Sequence, residues 1–267
     1  MFKRPIKISR ISKSKIEKLQ DVVLIEKPID LIVNSNPLVN IICLPKDLEE
    51  LAMGFLYSIG LINSIEDIKN LEVDEVNFQI NIDLEENINL ELLKIDPISR
   101  IVDTTCGISS PWREIIKKSI EKSEDSIKSK DDFRIKSEVI FSSTKLIQKE
   151  MKLYRETGGC HGAAIFDMKG NLLAIKEDIG RHNAIDKVIG DLLLKKHNFE
   201  RIFLVSSGRL TGDSVLKAIR AKIPVIASVS AAIESGIRLA FVYGITLIGF
   251  VRGSRMNIYT HPKRILI

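Results

Sequence analysis

Apolar residues change their spacing along the chain, and the changes predict two regions of different architecture. Between Asp21 and Leu44, β-branched runs are punctuated by Pro28, by Asn34 to Pro37 and by Pro45, which predicts a small antiparallel sheet. Leu48, Leu51, Ala52, Phe55 and Leu56 then recur at helical spacing. Asp47 stands where a side-chain cap belongs, with Glu50 three residues on, and Gly60 stands where a helix stops. Val76, Phe78, Ile80 and Ile82 alternate with polar residues, as a half-buried strand does. These elements predict a first domain of α+β type, residues 1–102.

The second region, residues 103–267, is expected to form an α/β domain that begins with the loop around Cys106. Residues 111–136 are dense in Lys, Glu, Asp and Ser, which predicts an exposed helix followed by a poorly ordered stretch. A helix over 143–154 should break at Gly158-Gly159, before a hairpin-like pair, 163–166 and 172–175. From Arg181 onward, helices (184–195, 214–221, 231–243) alternate with short, nearly all-apolar strands (202–205, 225–228, 245–250). Strands such as Ile202-Phe203-Leu204-Val205 suit a parallel sheet covered by helices on both faces, because neither face meets water.

Composition narrows the classes of function. The 40 basic and 35 acidic residues leave a net charge of +5 and a pI near 9.0, but the two signs are interleaved. A nucleic-acid binder is therefore weakly supported, and with 6% aromatics there is little to stack on bases. No apolar run approaches the roughly 18 residues of a membrane span, and the Lys/Ser-rich start has no secretory pattern. Three scattered cysteines do not make a disulfide framework, so a reducing cytoplasm is expected.

Three places carry candidate chemistry. In Thr104-Thr105-Cys106-Gly107-Ile108-Ser109-Ser110-Pro111-Trp112 the cysteine has small polar neighbours, and Ser110-Pro111 suits a helix start. Helix-end dipoles and Arg113 would favour the thiolate of Cys106, making it a candidate nucleophile. The pair Cys160-His161 invites a zinc reading, yet the residue two after His161 is Ala163 and no cysteine follows, so the deaminase pattern is missing. Cys160 is expected to be a buried small residue, while His161 stays a candidate ligand contact. Asp186 is expected to cap or solvate a helix end, and no metal-binding set of histidines is expected.

The third place is a set of arginine loops: Gly180-Arg181-His182-Asn183 opening a helix, Ser206-Ser207-Gly208-Arg209 after one strand, and Arg252-Gly253-Ser254-Arg255 after another. Ligands of doubly wound sheets bind at the carboxyl ends of strands, where glycine admits backbone N–H groups to phosphate. A phosphate-bearing ligand is implied, although no Walker or dinucleotide fingerprint is present.

These residues resemble the formate dehydrogenase accessory sulfurtransferases. The likeness is sharpest in Thr157-Gly158-Gly159 with His161, in Glu177 to Lys187, in Val205-Ser206-Ser207-Gly208-Arg209, in Gly249 to Arg255 and in Asn257 to Pro262. It implies a C-terminal three-layer α/β/α domain, cytidine-deaminase-like, with a smaller N-terminal α+β domain, in a cytoplasmic homodimer. It further implies that a cysteine desulfurase passes persulfide sulfur to Cys106. The sulfur would then go to a molybdenum or tungsten bis(molybdopterin guanine dinucleotide) centre serving formate dehydrogenase, with no metal held by protein ligands. The cofactor-binding stretch of the family corresponds to Phe250, Val251, Arg252, Gly253, Ser254 and Arg255; Arg181 and Arg209 are expected on pyrophosphate, and His182 and Ser207 on the nucleotide.

One departure is that many members carry Cys-x-x-Cys where this chain has Cys106-Gly107-Ile108-Ser109. A single thiolate still suffices to accept and donate sulfane sulfur, whereas a resolving step would need a second thiol that this loop lacks. The alternative reading is a chaperone that holds the guanine-nucleotide cofactor without transferring sulfur.

Overall fold

A computed structural model describes residues 2–85, 101–102, 114, 117–118, 134–199 and 201–267. It is a mixed α/β structure with several sheets. The loop of Cys106, with Arg113, lies outside the described residues.

The chain opens with a feature that the Lys/Ser-rich sequence did not announce, a long hairpin of β1 (Lys3–Ser12) and β2 (Lys15–Leu24), which among the described residues pair only with each other. The expected small sheet is larger and mixed. β3 (Lys27–Val33) and β4 (Asn36–Cys43) are antiparallel, whereas β6 (Gln79–Leu84) runs parallel to β3, and β7 (Ile101–Val102) parallel to β4. β5 (Ile68–Asp74) completes the order β5-β6-β3-β4-β7. Ile80, Ile82 and Leu84 are buried as alternation requires, but Val76 is exposed in the turn before β6, where backbone N–H groups of Val76 and Asn77 bind Asp74.

Helix α1 (Leu48–Ile59) ends at Gly60 in the left-handed conformation, as expected. Its start differs. Asp47 is itself left-handed and makes no side-chain cap, because Lys176 and Lys46 draw its carboxylate away. Lys176 also binds Glu50 at 2.6 Å, tying α1 to the second half of the chain.

That half is built on a six-stranded sheet of order β10-β9-β11-β12-β13-β14. The hairpin is β9 (His161–Asp167) with β10 (Leu172–Asp178), and β9 is also antiparallel to β11 (Ile202–Ser206). β11, β12 (Val225–Ser228) and β13 (Thr246–Arg252) are parallel, as the alternation implied; β14 (Arg255–Ile258) returns antiparallel through a tight turn at Gly253-Ser254. The expected helix over 143–154 is two: α2 (Ser137–Glu150), which follows the short β8 (Ile135–Lys136), and, after Met151, the short α3 (Lys152–Thr157) ending at left-handed Gly158.

Side chains alternate between two faces of this sheet. Phe166, Phe203, Val205 and Ile248 meet Ile140 and Ile147 of α2 on one side. Ile165, Leu204, Ile226 and Leu247 meet α4 (Arg181–Leu194) and α5 (Gly212–Arg220) on the other. The second cluster continues without a break through α1 into the five-stranded sheet. Its tightest point is the crossing of α1 and α4. A Cβ on Gly54 would lie 2.5 Å from the carbonyl carbon of Asp186, and one on Gly190 would lie 2.7 Å from that of Glu50. Glycine on both helices lets the backbones touch there.

Candidate functional site

The carboxyl ends of β11, β12 and β13 and the amino ends of α4, α5 and α6 (Glu234–Tyr243) meet along one rim of the sheet. Successive loops are stitched together there. The Ser207 hydroxyl accepts the Gly162 N–H at 3.0 Å and stands 3.3 Å from His161 Nδ1. Ser228 Oγ donates to the Gly208 carbonyl at 2.7 Å and accepts from the Ser230 N–H at 3.0 Å. The Phe250 N–H in turn donates to the Ser230 carbonyl at 2.9 Å. Hydrogen bonds on either side of the Ser207–Gly208 peptide thus join His161 and Ser207 to Gly208, Ser228, Ser230 and Phe250 in one line.

The expected arginines sit along this line. Arg181, first residue of α4, packs its side chain on Gly208, where a Cβ would lie 2.8 Å from the arginine Cβ. Glycine is needed at 208 to seat that arginine. Arg209 is exposed next to it. Arg252 is exposed over the Phe250 ring, 5.5 Å from its centroid, and Arg255 faces it across the β13–β14 turn. Gly253 (φ 57) and Phe250 (φ 52) are left-handed, so the strand end is bent; Val251 points into the core and Ser254 is exposed. The phenylalanine is not glycine, and a left-handed bulky residue is uncommon.

Burial first, and then charge, lowers both histidines of the rim. His161 is held below the ordinary imidazole value, first by burial and then by Arg181 and Arg209. His182 is 5% exposed, neither ring nitrogen has a hydrogen-bond partner among the described residues, and burial, with Arg181 and Lys217, pushes it down to about 3. It is a neutral imidazole under the rim, with donor and acceptor capacity unused.

Behind the rim lie polar groups that sequence reasoning placed wrongly or missed. Asp186 is not a solvated helix end. It is 1% exposed, binds Lys217 through both oxygens at 2.6 Å and accepts the Ser58 hydroxyl at 2.7 Å, because α1 and α5 close over that face of α4. Asp178, fully buried, accepts from the backbone of Leu44 (3.0 Å) and Gly180 (2.8 Å), from Asn183 Nδ2 (3.0 Å) and from Lys187 Nζ (2.6 Å). Asn183 also donates to the Ile42 carbonyl at 2.9 Å, and Lys187 to that of Leu44 at 3.1 Å. This cluster clamps the end of β4 to the corner that presents Arg181. β4 pairs with β7, and Val102 of β7 precedes Cys106 by four residues. The clamp therefore joins the root of the Cys106 segment to the rim. Asn183 and Lys187 at i, i+4 were the available signal, but only the fold shows that β4 lies against them.

The other two cysteines are buried, with both thiols pushed up by desolvation, so neither is a ready thiolate. Cys160 donates to Glu177 Oε1 at 3.4 Å. Its expected place as a buried small residue agrees with the structure.

The rim and the clamp coincide with the segments that carry the family likeness, and a family model decides the matter: the FdhD/NarQ family matches residues 24–266. The chain belongs to the FdhD/NarQ family. Relatives named "Sulfur carrier protein FdhD" include one from Saccharolobus solfataricus, 36% identical over 96% of this chain and 95% of its own length. Another, from Bacillus subtilis, is 32% identical over 96% and 95%. Among solved structures, a crystal structure from Desulfotalea psychrophila described as a formate dehydrogenase accessory protein matches with a TM-score of 0.78. It is 27% identical and covers 100% of both chains. Among the described residues no helix is long and apolar enough to cross a membrane.

Proposed function

We propose that this family member is a cytoplasmic sulfurtransferase and sulfur carrier that readies the metal cofactor of a formate dehydrogenase. The observation that supports it most is the single hydrogen-bonded rim carrying Arg181, Arg209 and Arg252, coupled through Asp178, Asn183 and Lys187 to the strand that leads to Cys106. The names of the relatives point the same way. A helix N-terminus, turn N–H groups and arginines suit the phosphates of a guanine dinucleotide. Ser207 then meets its polar edge above the buried His182, and Phe250, Arg252, Gly253, Ser254 and Arg255 grip the far end, with Val251 holding their strand in the core. The order in which antiparallel β9 flanks parallel β11–β13, with helices on both faces, is our reason for assigning residues 103–267 to the cytidine-deaminase-like three-layer class, beside an N-terminal unit of 1–102.

In the proposed cycle the Cys106 thiolate attacks the sulfane sulfur of a cysteine desulfurase persulfide, and the desulfurase thiolate leaves. Cys106 then holds the persulfide over the bound molybdenum or tungsten bis(molybdopterin guanine dinucleotide), its substrate. Release of the sulfur as sulfide takes two electrons from two external thiols, which leave as a disulfide and restore the Cys106 thiol, and the displaced oxo ligand takes up two protons and leaves as water. Holding both reactants on one body, as a homodimer in our reading, supplies proximity. Ser109 in place of a second loop cysteine favours one alternative, a guanine-nucleotide chaperone that transfers no sulfur. Desulfurase, cysteine and mass spectrometry of Cys106 separate the two: added mass of about one sulfur atom on Cys106 supports transfer, and unmodified Cys106 with intact guanine nucleotide binding leaves the chaperone.

A further inference from the structure

The β1–β2 hairpin takes no part in the rim, and the family match begins only at residue 24. Its charge is distinctive. Residues 3–24 hold seven of the 40 Lys and Arg but two of the 35 Asp and Glu, so the entire +5 excess of the chain lies on this arm and the rest is balanced. Among the described residues only the root is anchored: Phe2 and Leu24 pack against Leu44, Leu153 and Cys160, and Lys3 binds Glu156 at 2.7 Å. Residues 9–18 are all exposed. A two-stranded ribbon is marginal by itself in water, and nothing in its own packing accounts for a projection of roughly 20 Å.

The two faces of the arm differ. On one, charges are satisfied locally, Arg10 by Asp21 and Lys15 by Glu17. On the other, the register aligns Lys7, Lys18 and the cross-strand pair Ile11 and Ile16, which are 71% and 67% exposed. That face has no carboxylate from either strand, and Lys7 and Lys18 have no ion-pair partner among the described residues. The root borders a cleft of about 290 Å³ between Leu24, Glu26, Thr157, Gly159 and Ile179. Gly159 and Ile179 immediately precede Cys160-His161 and Gly180-Arg181, so the arm springs from one end of the rim.

We infer that this face is the docking element for an acidic protein surface with an apolar hollow, carried by the recipient that takes the cofactor from the rim. The naming of the recipient rests on the function proposed above. Carboxylates would meet Lys7 and Lys18 and steer encounter, while the isoleucine pair supplies the desolvated contact. Nucleic acid fits less well, since the arm has no aromatic residue to stack on bases. Lipid fits less well too, because two isoleucines offer less apolar area than a single acyl chain, which itself anchors weakly.

The test uses the full-length protein with Lys7→Glu/Lys18→Glu, and separately Ile11→Ser/Ile16→Ser. Affinity is measured for the formate dehydrogenase apoprotein, the desulfurase, anionic vesicles and duplex DNA at low and high salt. The inference expects affinity for the dehydrogenase to fall at least about tenfold in the charge variant, with salt weakening the wild type and not the variant. Cys106 loading and guanine nucleotide affinity should stay within about twofold, since the rim is untouched. Unchanged dehydrogenase affinity overturns the inference, as does loss confined to the desulfurase, vesicles or DNA. If wild-type Cys106 never takes up sulfur while arm-dependent dehydrogenase binding persists, the sulfur-transfer reading falls and the docking surface stands.

Discussion

In the middle of an exposed helix, replacing Gly by Ala gains about 1 kcal/mol, since alanine restricts the unfolded chain. At Gly54 the sign should reverse. An alanine Cβ there would stand 2.5 Å from the Asp186 carbonyl carbon and 2.9 Å from its Cα, closer than the 3.0 Å that real Cβ contacts respect. Every obstructing atom is backbone, so no side chain can rotate away and α1 must move off α4. Such overpacking costs about 1–3 kcal/mol, and we expect at least the upper value because both partners are main chain. For a chain of this size that lowers Tm by roughly 6–12 °C, at 2–4 °C per kcal/mol. Gly190→Ala obstructs the same crossing from the other side, so the double variant should lose much less than the sum of the two. Thermal and urea unfolding of the three variants measure this. A Gly54→Ala protein as stable as wild type, or more so, would refute the close crossing.

Three further outcomes follow from the rim and its support. The folded value of His182 lies below that of the unfolded chain, so the unfolded state binds the extra proton and stability is lost as pH falls below about 6.5. Near pH 5 this one group should contribute a slope of roughly 1.4 kcal/mol per pH unit, and His182→Gln should remove it, as urea unfolding between pH 4 and 7 would show. Asn183→Ala cuts the bonds to Ile42 and Asp178 while Asp178 keeps three donors, so Cys106 loading and nucleotide binding should persist and transfer to the cofactor should slow. Stopped-flow transfer rates beside loading stoichiometry would distinguish this from general unfolding. Cys160→Ala should load Cys106 as wild type does, because a thiol raised by burial and bound to Glu177 is no nucleophile; labelled-sulfur stoichiometry checks it.

Much of the sheet was legible because its signals are local. Short all-apolar runs such as Ile202 to Val205 and Val225 to Ser228 admit little besides covered parallel strands, and those two were placed to within a residue. The arginine loops were legible for the same reason, since a helix start or strand end marks each one. Asp186 was misread because nothing local says that Lys217, 31 residues on, would close over it. The Asp47 cap failed similarly, its carboxylate taken by Lys176 from another sheet. The β1–β2 arm escaped notice because its lysines break the apolar alternation that marks a half-buried strand, and a ribbon buried on neither face need not alternate.

The most direct measurement is the fate of labelled sulfur. Protein loaded by a desulfurase with labelled cysteine is mixed with bis(molybdopterin guanine dinucleotide) cofactor and a thiol reductant, and label is followed by mass spectrometry from Cys106 to the metal centre. Label should appear on Cys106, pass to the metal centre rather than to free sulfide when guanylated cofactor is present, and be lost from both in Cys106→Ala. Label that reaches the cofactor equally well in Cys106→Ala, or that never settles on Cys106 in the wild type, would contradict sulfur carriage by this chain.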